Sequence, residues 1–505
     1  MKKKYQVGEA GVVQGVSKFR TVLPQVLVTT INNLLLMDLS MMLAFPTLVI
    51  GDLYGKEGEL SLTDEQASWV GSLVYIFQPI GSAVSGILTE PLGRKRSMIL
   101  VNITPLVGWL LLYFAESVTM LYVANAIMGL GIGFMEAPVL TYVGEISQPH
   151  LRGILTAYTG VLAQLGYFMV YMLGAVMHWR PAAAVSASIP IISVLCMMWI
   201  PESPLWLLSR GRTEDALKAL CWLRGWVQPD AVKHELQELE RYAEATKSTE
   251  TGRWPVLQRL RSLFRPNTFR PLMLVTAFFF FFHASGMSGV RPYMVHVIEE
   301  FQMPIDPNWA AVVSAILGLV AISLLAAIVS FSGKRPLTLI SIAGCAIPCL
   351  VLGTYAYVVI GCKVPSGAPM DDPPANWLPL TMLIILSFST YFGMGQIPWM
   401  YVAEVFPLRS RGLAGGVTAA LAYVLYFTAS KTYLGLESSL CLYGVFWLYG
   451  AFSCVGFVFL YWVLPETEGQ TLEEVEAYFL GKKAASTETL DTEFGASRNS
   501  VAAAT

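Results

Sequence analysis

Runs of roughly 20 mostly apolar residues recur twelve times along this chain, the length an α-helix needs to cross the hydrocarbon core of a bilayer. The runs cover approximately residues 21–50, 67–89, 98–115, 119–144, 153–177, 181–200, 271–298, 309–331, 337–361, 377–402, 412–434 and 439–464. Only 13% of the 505 residues are charged, against about 25% in an ordinary soluble domain. So few charges cannot coat a water-soluble globule of this size. They gather between the runs, and the runs face lipid and each other. This excludes a cytosolic enzyme, a disordered scaffold and a secreted disulfide module. A net charge of −2 offers no bulk attraction for nucleic acid.

The basic residues test the count, because cytoplasmic loops collect Lys and Arg. With twelve spans both termini lie on one side, and that side holds 28 of the 33 Lys and Arg residues. Only Lys56, Arg180, Arg291, Lys363 and Lys431 fall elsewhere. A miscounted helix would destroy this asymmetry. The expected protein is a multi-pass membrane protein, placed in the plasma membrane, with both termini cytoplasmic. Its expected divisions are a cytoplasmic N-terminus (1–20), a six-helix bundle (21–200), a cytoplasmic helical linker (201–270), a second six-helix bundle (271–464) and a cytoplasmic tail (465–505). The first apolar run is too long for a signal-peptide core and lacks a cleavage site, so it reads as a retained helix. Most of the seven cysteines lie inside apolar runs and none forms a CxxC pair. They read as small packed hydrophobes rather than as a metal site or a disulfide framework.

The two halves of the chain repeat each other. Tyr142-Val-Gly-Glu-Ile-Ser-Gln-Pro-His-Leu-Arg-Gly153 follows the fourth run, and Tyr401-Val-Ala-Glu-Val-Phe-Pro-Leu-Arg-Ser-Arg-Gly412 follows the tenth. Gly93-Arg94-Lys95 after the second run is echoed by Gly333-Lys334-Arg335 after the eighth. Pro201-Glu202-Ser203 after the sixth is echoed by Pro465-Glu466-Thr467 after the twelfth. Three echoes in the same order imply two six-helix halves. Parallel repeats about an axis along the membrane normal are a carrier architecture, with the substrate site between the halves.

On these motifs the chain resembles the sugar porter family of the major facilitator superfamily. Within it the chain is most similar to the arthropod facilitated trehalose transporters. The matching stretches include Gly86–Lys95, Tyr142–Gly153, Pro201–Leu208, Ile397-Pro-Trp-Met-Tyr-Val-Ala-Glu404, Phe446-Trp447 and Pro465–Glu474. The resemblance implies an all-α membrane protein of 12 transmembrane helices in two pseudo-symmetric six-helix bundles. It implies a small-molecule substrate, a sugar such as trehalose or a hexose, carried by alternating access. It implies no enzyme activity, cofactor or metal. No HExxH, Walker loop or GxSxG occurs either.

The resemblance also assigns residues. Arg94, Lys95, Glu145, Arg152 and Glu202 in the first half, with Lys334, Arg335, Glu404, Arg411 and Glu466 in the second, correspond to the family's inner charge network. Glu145 is expected to pair near Arg94 and Arg152, and Glu404 with Lys334, Arg335 or Arg411. The recurrence of Glu at matched positions is more than topology alone would require. Gln164 lies eleven residues after Gly153, about 16 Å deep. An amide at that depth offers a sugar hydroxyl both donors and an acceptor. Helix-to-helix bonding is its other reading. Gly393-Met-Gly395-Gln-Ile-Pro398-Trp399 interrupts the tenth run, which is tolerable where freed backbone faces protein or a water-filled cavity. Trp399 corresponds to the family's tryptophan against the sugar, and its ring can stack on a pyranose face.

The chain departs from the family in its seventh, eighth and eleventh helices. Phe282 and His283 stand where the family has paired glutamines, and Ser288 stands for an asparagine. Gly318 and Ala422-Tyr423 replace further polar residues. His283, Ser288 and Tyr423 are therefore candidate substrate contacts of a different kind. Asp38, Glu136, His283 and Arg291 are ionisable groups inside apolar runs, which makes them functional candidates. Asp38 and Glu136 are candidates for proton coupling, with a structural hydrogen bond as the other reading of Asp38. Arg291 reads as an outer gate or as a partner of Glu299 or Glu136. Three functions remain open on the sequence: a facilitative sugar carrier, a proton-coupled carrier of another organic solute that can be charged, and a non-transporting nutrient sensor.

Overall fold

The computed structural model describes residues 18–56, 58, 60–148, 151–250, 263–361, 377–407, 411–470, 474–475 and 478–479. The apolar runs form twelve membrane helices. The first six are α1 (Lys18–Leu53), α2 (Asp64–Leu92), α3 (Arg94–Tyr113), α4 (Val118–Ile146), α5 (Arg152–Val176) and α6 (Trp179–Met197). The last six begin with α7, a broken span of Pro266–Ala284 and Met287–Glu300 bent by 54°. Then come α8 (Pro307–Ser332), α9 (Lys334–Ile360) and α10 (Trp377–Glu404). The continuous stretch Arg411–Val463 divides at Cys441 (φ 57°, ψ 167°) into α11 and α12.

Local chemistry sets the helix starts. Thr63 and Gln66 form a reciprocal capping box at α2. Ser117 caps α4, and Asp306 caps α8 just before Pro307. Without a hydrophobic drive between helices in lipid, small residues bring backbones together. Gly129 and Gly133 of α4 lie against the backbone of Val74 and Gln78 in α2, and Gly166 of α5 lies against Met37 of α1. No side chain fits at those crossings.

The bundles meet along two equivalent seams, α2 against α11 and α5 against α8. The segment after α6 forms the helices Pro204–Ser209, Thr213–Leu223 and Lys233–Glu250 around an apolar cluster of their own. It docks on the first bundle. Arg224 pairs with Glu235 at 2.6 Å and donates to the Ile146 carbonyl at 3.2 Å.

Cys441 corrects the reading of the cysteines as uniformly packed thiols. It is disulfide-bonded, while Cys196, Cys221, Cys345, Cys349 and Cys454 are free. Its position at the α11–α12 turn puts the bond at a helix end, outside the apolar interior that would favour a packed thiol.

Candidate substrate site between the two bundles

At the basic end most bonds of the first half recur in the second, which adds an ion pair of Lys334 with Glu468. In the first half Arg94 pairs with Glu145 at 2.6 Å. The backbone N–H groups of Arg94 and Lys95 each donate to Glu202 Oε1 at 3.0 Å. In the second half Lys334 pairs with Glu404 and with Glu468, each at 2.7 Å. The N–H groups of Lys334 and Arg335 donate to Glu466 at 3.0 and 2.9 Å. Ser203 donates to Glu145 and Thr467 to Glu404. Tyr142 and Tyr401 each donate to the proline carbonyl, Pro201 or Pro465, at 2.6 Å. Glu202 and Glu466 sit against the starts of α3 and α9, where free N–H groups and the helix dipole favour an anion. Gly93 (φ 93°) and Gly333 (φ 78°) are required there: a Cβ would come within 2.5 Å of the Glu202 or Glu466 carboxylate.

The expected partners of Glu145 and Glu404 are thus Arg94 and Lys334. Lys95 donates to the Met198 carbonyl at 3.0 Å and Arg335 to that of Tyr461 at 2.6 Å. The side chains of Arg152 and Arg411 lie outside the described residues. Each of these clusters closes within one bundle.

The bonds that join the bundles run from the middle of the helices to the opposite, far end. Ser430 donates to the Gly71 carbonyl at 2.9 Å and Lys431 to Ser68 at 2.6 Å. Thr47 donates to the Arg291 carbonyl at 3.0 Å. Tyr54, just past the end of α1, meets His296 of α7 edge to face, with ring centroids 5.0 Å apart. The far end is therefore closed.

The middle of the seam is polar. Gln164 is 3% exposed, and its Nε2 has no hydrogen-bond partner. It faces Gly318 of α8 and the Tyr391 ring of α10, where a Cβ on Gly318 would meet both. Glu136 of α4 accepts from Gln78 of α2 at 2.9 Å and from Tyr423 of α11. Tyr423 is thus engaged by a carboxylate across the seam. Trp399 is 36% exposed and packs edge-on against Phe279, with centroids 4.8 Å apart. A widened turn over Thr390–Met394 precedes it, closed by the Gly395 N–H to the Thr390 carbonyl at 2.8 Å.

The break in α7 occurs at Gly286 (φ 107°), and His283 Nδ1 bridges it to Ser288 Oγ at 2.9 Å. His283 and Ser288 therefore satisfy each other, and both are buried. Arg291 has neither partner that the sequence suggested, Glu299 or Glu136. Its Nη1 donates to Tyr167 of α5 at 3.1 Å and to Tyr426 of α11 at 3.0 Å. Its guanidinium lies over the rings of Tyr167 and Tyr391. Asp38 is fully buried and accepts from Trp109 Nε1 at 2.9 Å, the structural hydrogen bond.

Sequence reasoning missed Gln78, Tyr167, Tyr391 and Tyr426. Helical spacing held a signal for two of them: Tyr167 follows Gln164 by three residues and Tyr426 follows Tyr423 by three.

Two six-helix bundles with a repeated charge motif and a polar seam define a membrane carrier of the major facilitator fold. The family model described as sugar (and other) transporter matches residues 39–479, and the chain belongs to that family. The facilitated trehalose transporter Tret1 of Apis mellifera ligustica is 31% identical over 421 residues, 83% of this chain and 81% of that relative. The Tret1 of Culex quinquefasciatus is 30% identical over 427 residues, 83% of this chain and 79% of its own length. Among solved structures, the xylose transporter XylE from E. coli in its inward-open conformation superposes with a TM-score of 0.68 at 20% identity, covering 90% of this chain and 98% of that one. The proton:xylose symporter XylE bound to 6-bromo-6-deoxy-D-glucose gives 0.67 at 19% identity, covering 91% and 99%. At that identity the likeness speaks to the fold alone.

Proposed function

We propose that the protein is a facilitative sugar carrier, for trehalose or a hexose, that works by alternating access. Bundles 21–200 and 271–464 rock about a site at mid-membrane, and the 201–270 segment and the tail from 465 lie in the cytoplasm. The observation that carries the reading is the polar seam where Gln164 meets Gly318 and Tyr391. Buried polar groups between two repeats in a membrane mark a solute path rather than a packed core. Family membership and the trehalose carriers among its relatives support the same class.

In this scheme Gln164, Trp399, Tyr423, His283 and Ser288 line the path. The two basic-end clusters stiffen each bundle so that it moves as a unit. The basic end faces the cytoplasm, as the distribution of Lys and Arg favours. The Cys441 disulfide at the opposite end suits an oxidising exterior, and the plasma membrane meets both conditions. The closed far end corresponds to a state sealed against the exterior.

Asp38 accepts from Trp109, and no ion pair among the described residues holds it, which favours the uncoupled mode. Tracer uptake into liposomes with trehalose, glucose and fructose, with and without a proton gradient, tests the proposal. Saturable uptake that stops at equal concentrations is expected. Accumulation driven by the proton gradient would replace facilitation by symport, and binding without any flux would make the protein a sensor.

A further inference from the structure

We propose that the seam contains a carboxylate-binding subsite centred on Arg291, so that the solute includes an acidic sugar: a hexose bearing one carboxylate. The inference rests on the carrier reading and names a substrate class for the same site.

Arg291 lies on a short turn just past the break in α7 and is 6% exposed. A buried charge is unfavourable unless it is paired. No carboxylate lies within ion-pair distance of Arg291 among the described residues. Its neighbours are neutral: two tyrosine hydroxyls and two ring faces, at 4.9 and 5.3 Å from centroid to guanidinium carbon. The rings supply a cation–π attraction but leave Nε without a partner.

Two more buried groups that can donate stand on the facing helix: Gln164 Nε2 has no partner, and the Tyr171 hydroxyl has only the Thr47 hydroxyl beside it. Both are 3% exposed. Gln164, Tyr167 and Tyr171 follow helical spacing and share one face of α5. Tyr391 ties the group together, because its ring touches the Gln164 side of the seam and also lies under Arg291. Glu136 of α4, which Tyr423 meets one turn from Tyr426, is already engaged by Gln78 and Tyr423. A fixed cation with spare donors calls for a group that only accepts. An ionised carboxylate is such a group, and the planar guanidinium fork matches its geometry. A neutral polyol would leave the cation without a counter-charge.

The full-length protein, wild type and with Arg291→Gln, Arg291→Lys or Tyr171→Phe, is reconstituted in liposomes and given tracer D-glucuronate or D-glucose. Melting in detergent is followed with the same two probes. The wild type is expected to take up glucuronate, with a flux that rises under an inside-positive potential. Unlabelled glucuronate should inhibit glucose uptake. Arg291→Gln is expected to lower the glucuronate-to-glucose uptake ratio by about tenfold or more, and Arg291→Lys and Tyr171→Phe by less. If the wild type moves glucose but neither moves glucuronate nor is inhibited by it, the subsite is refuted while the carrier reading stands. Equal loss of both fluxes in Arg291→Gln would make Arg291 a structural staple and also refute the subsite. If the wild type moves neither probe, the carrier reading rests on the trehalose and fructose assays and melting decides the subsite alone. Stabilisation by glucuronate that Arg291→Gln abolishes would uphold it, and no stabilisation would overturn it.

Discussion

Tyr423 and Tyr426 stand one turn apart on α11 and bind groups of opposite charge. Tyr423 donates to Glu136 of the opposite bundle, while Tyr426 accepts from Arg291, which also reaches Tyr167 across the seam. One helix thus links two of the polar contacts that join the halves at their middle, Tyr423 to Glu136 directly and Arg291 to Tyr167 through Tyr426. Opening the far end has to break the Tyr423–Glu136 and Arg291–Tyr167 bonds together with those of Ser430 and Lys431.

Tyr167→Phe removes the hydroxyl by which the first bundle holds the Arg291 side chain. Loss of a hydrogen bond to a charged group is worth about 1.5–3 kcal/mol, so the closed far end should open more often by roughly tenfold or more. A cysteine placed at Ser430 should react faster with a membrane-impermeant thiol reagent in this background. An unchanged labelling rate would remove Tyr167 from the closure.

Gln164→Ala and Trp399→Ala should each reduce sugar uptake by roughly tenfold to a hundredfold, the equivalent of about 1–3 kcal/mol of lost solute contact. Correctly inserted protein with wild-type uptake in both variants would show that the solute passes elsewhere.

At Gly318 a Cβ would lie 2.5 Å from Gln164 Nε2 and 2.9–3.0 Å from the Tyr391 ring. Gly318→Val should wedge the α5–α8 seam and remove most uptake, with expression retained because the valine enters the seam rather than the core of either bundle. Normal uptake would mean that the seam opens at this point without cost.

Asp38→Asn keeps a side-chain oxygen for Trp109 Nε1. Uptake should stay within about twofold, with no dependence on a proton gradient before or after the change. Proton-driven accumulation that vanishes in Asp38→Asn would make Asp38 the proton carrier.

Burial alone would raise the pKa of Glu466, but N–H donors from Glu468, Arg335, Lys334 and Thr467 outweigh it and hold the group below its ordinary value of 4.5. The folded state therefore favours the carboxylate. The stabilisation is complete above that ordinary value and disappears as pH falls through the lowered one. Melting temperature in detergent should drop more steeply with acidification below about pH 4.5 in the wild type than in Glu466→Gln. Parallel profiles would show that Glu466 does not supply the acid sensitivity.

Much of this architecture was readable from residue order. Twelve apolar runs, one-sided Lys and Arg and three repeated motifs lead to two six-helix bundles, because lipid forces each run to satisfy its own backbone. The family resemblance pointed Glu145 toward Arg94 and Arg152, and Glu404 toward Lys334, Arg335 or Arg411; the structure pairs them with Arg94 and Lys334. The seam was less legible. Gln164 could be placed by depth, but its contact with Gly318 and Tyr391 depends on how two bundles far apart in sequence face each other. The bond between His283 and Ser288 was not legible either, because the break at Gly286 turns one toward the other.

The order of residues, taken alone, determined how many helices cross the membrane, which ends carry positive charge and that the halves are copies. All three depend on composition and local spacing, which the bilayer reads one helix at a time. Only the tertiary structure decided that Arg291 sits among tyrosines without a carboxylate and that the bundles close at the far end. Such contacts join residues more than a hundred positions apart, and helix packing, not local preference, sets them.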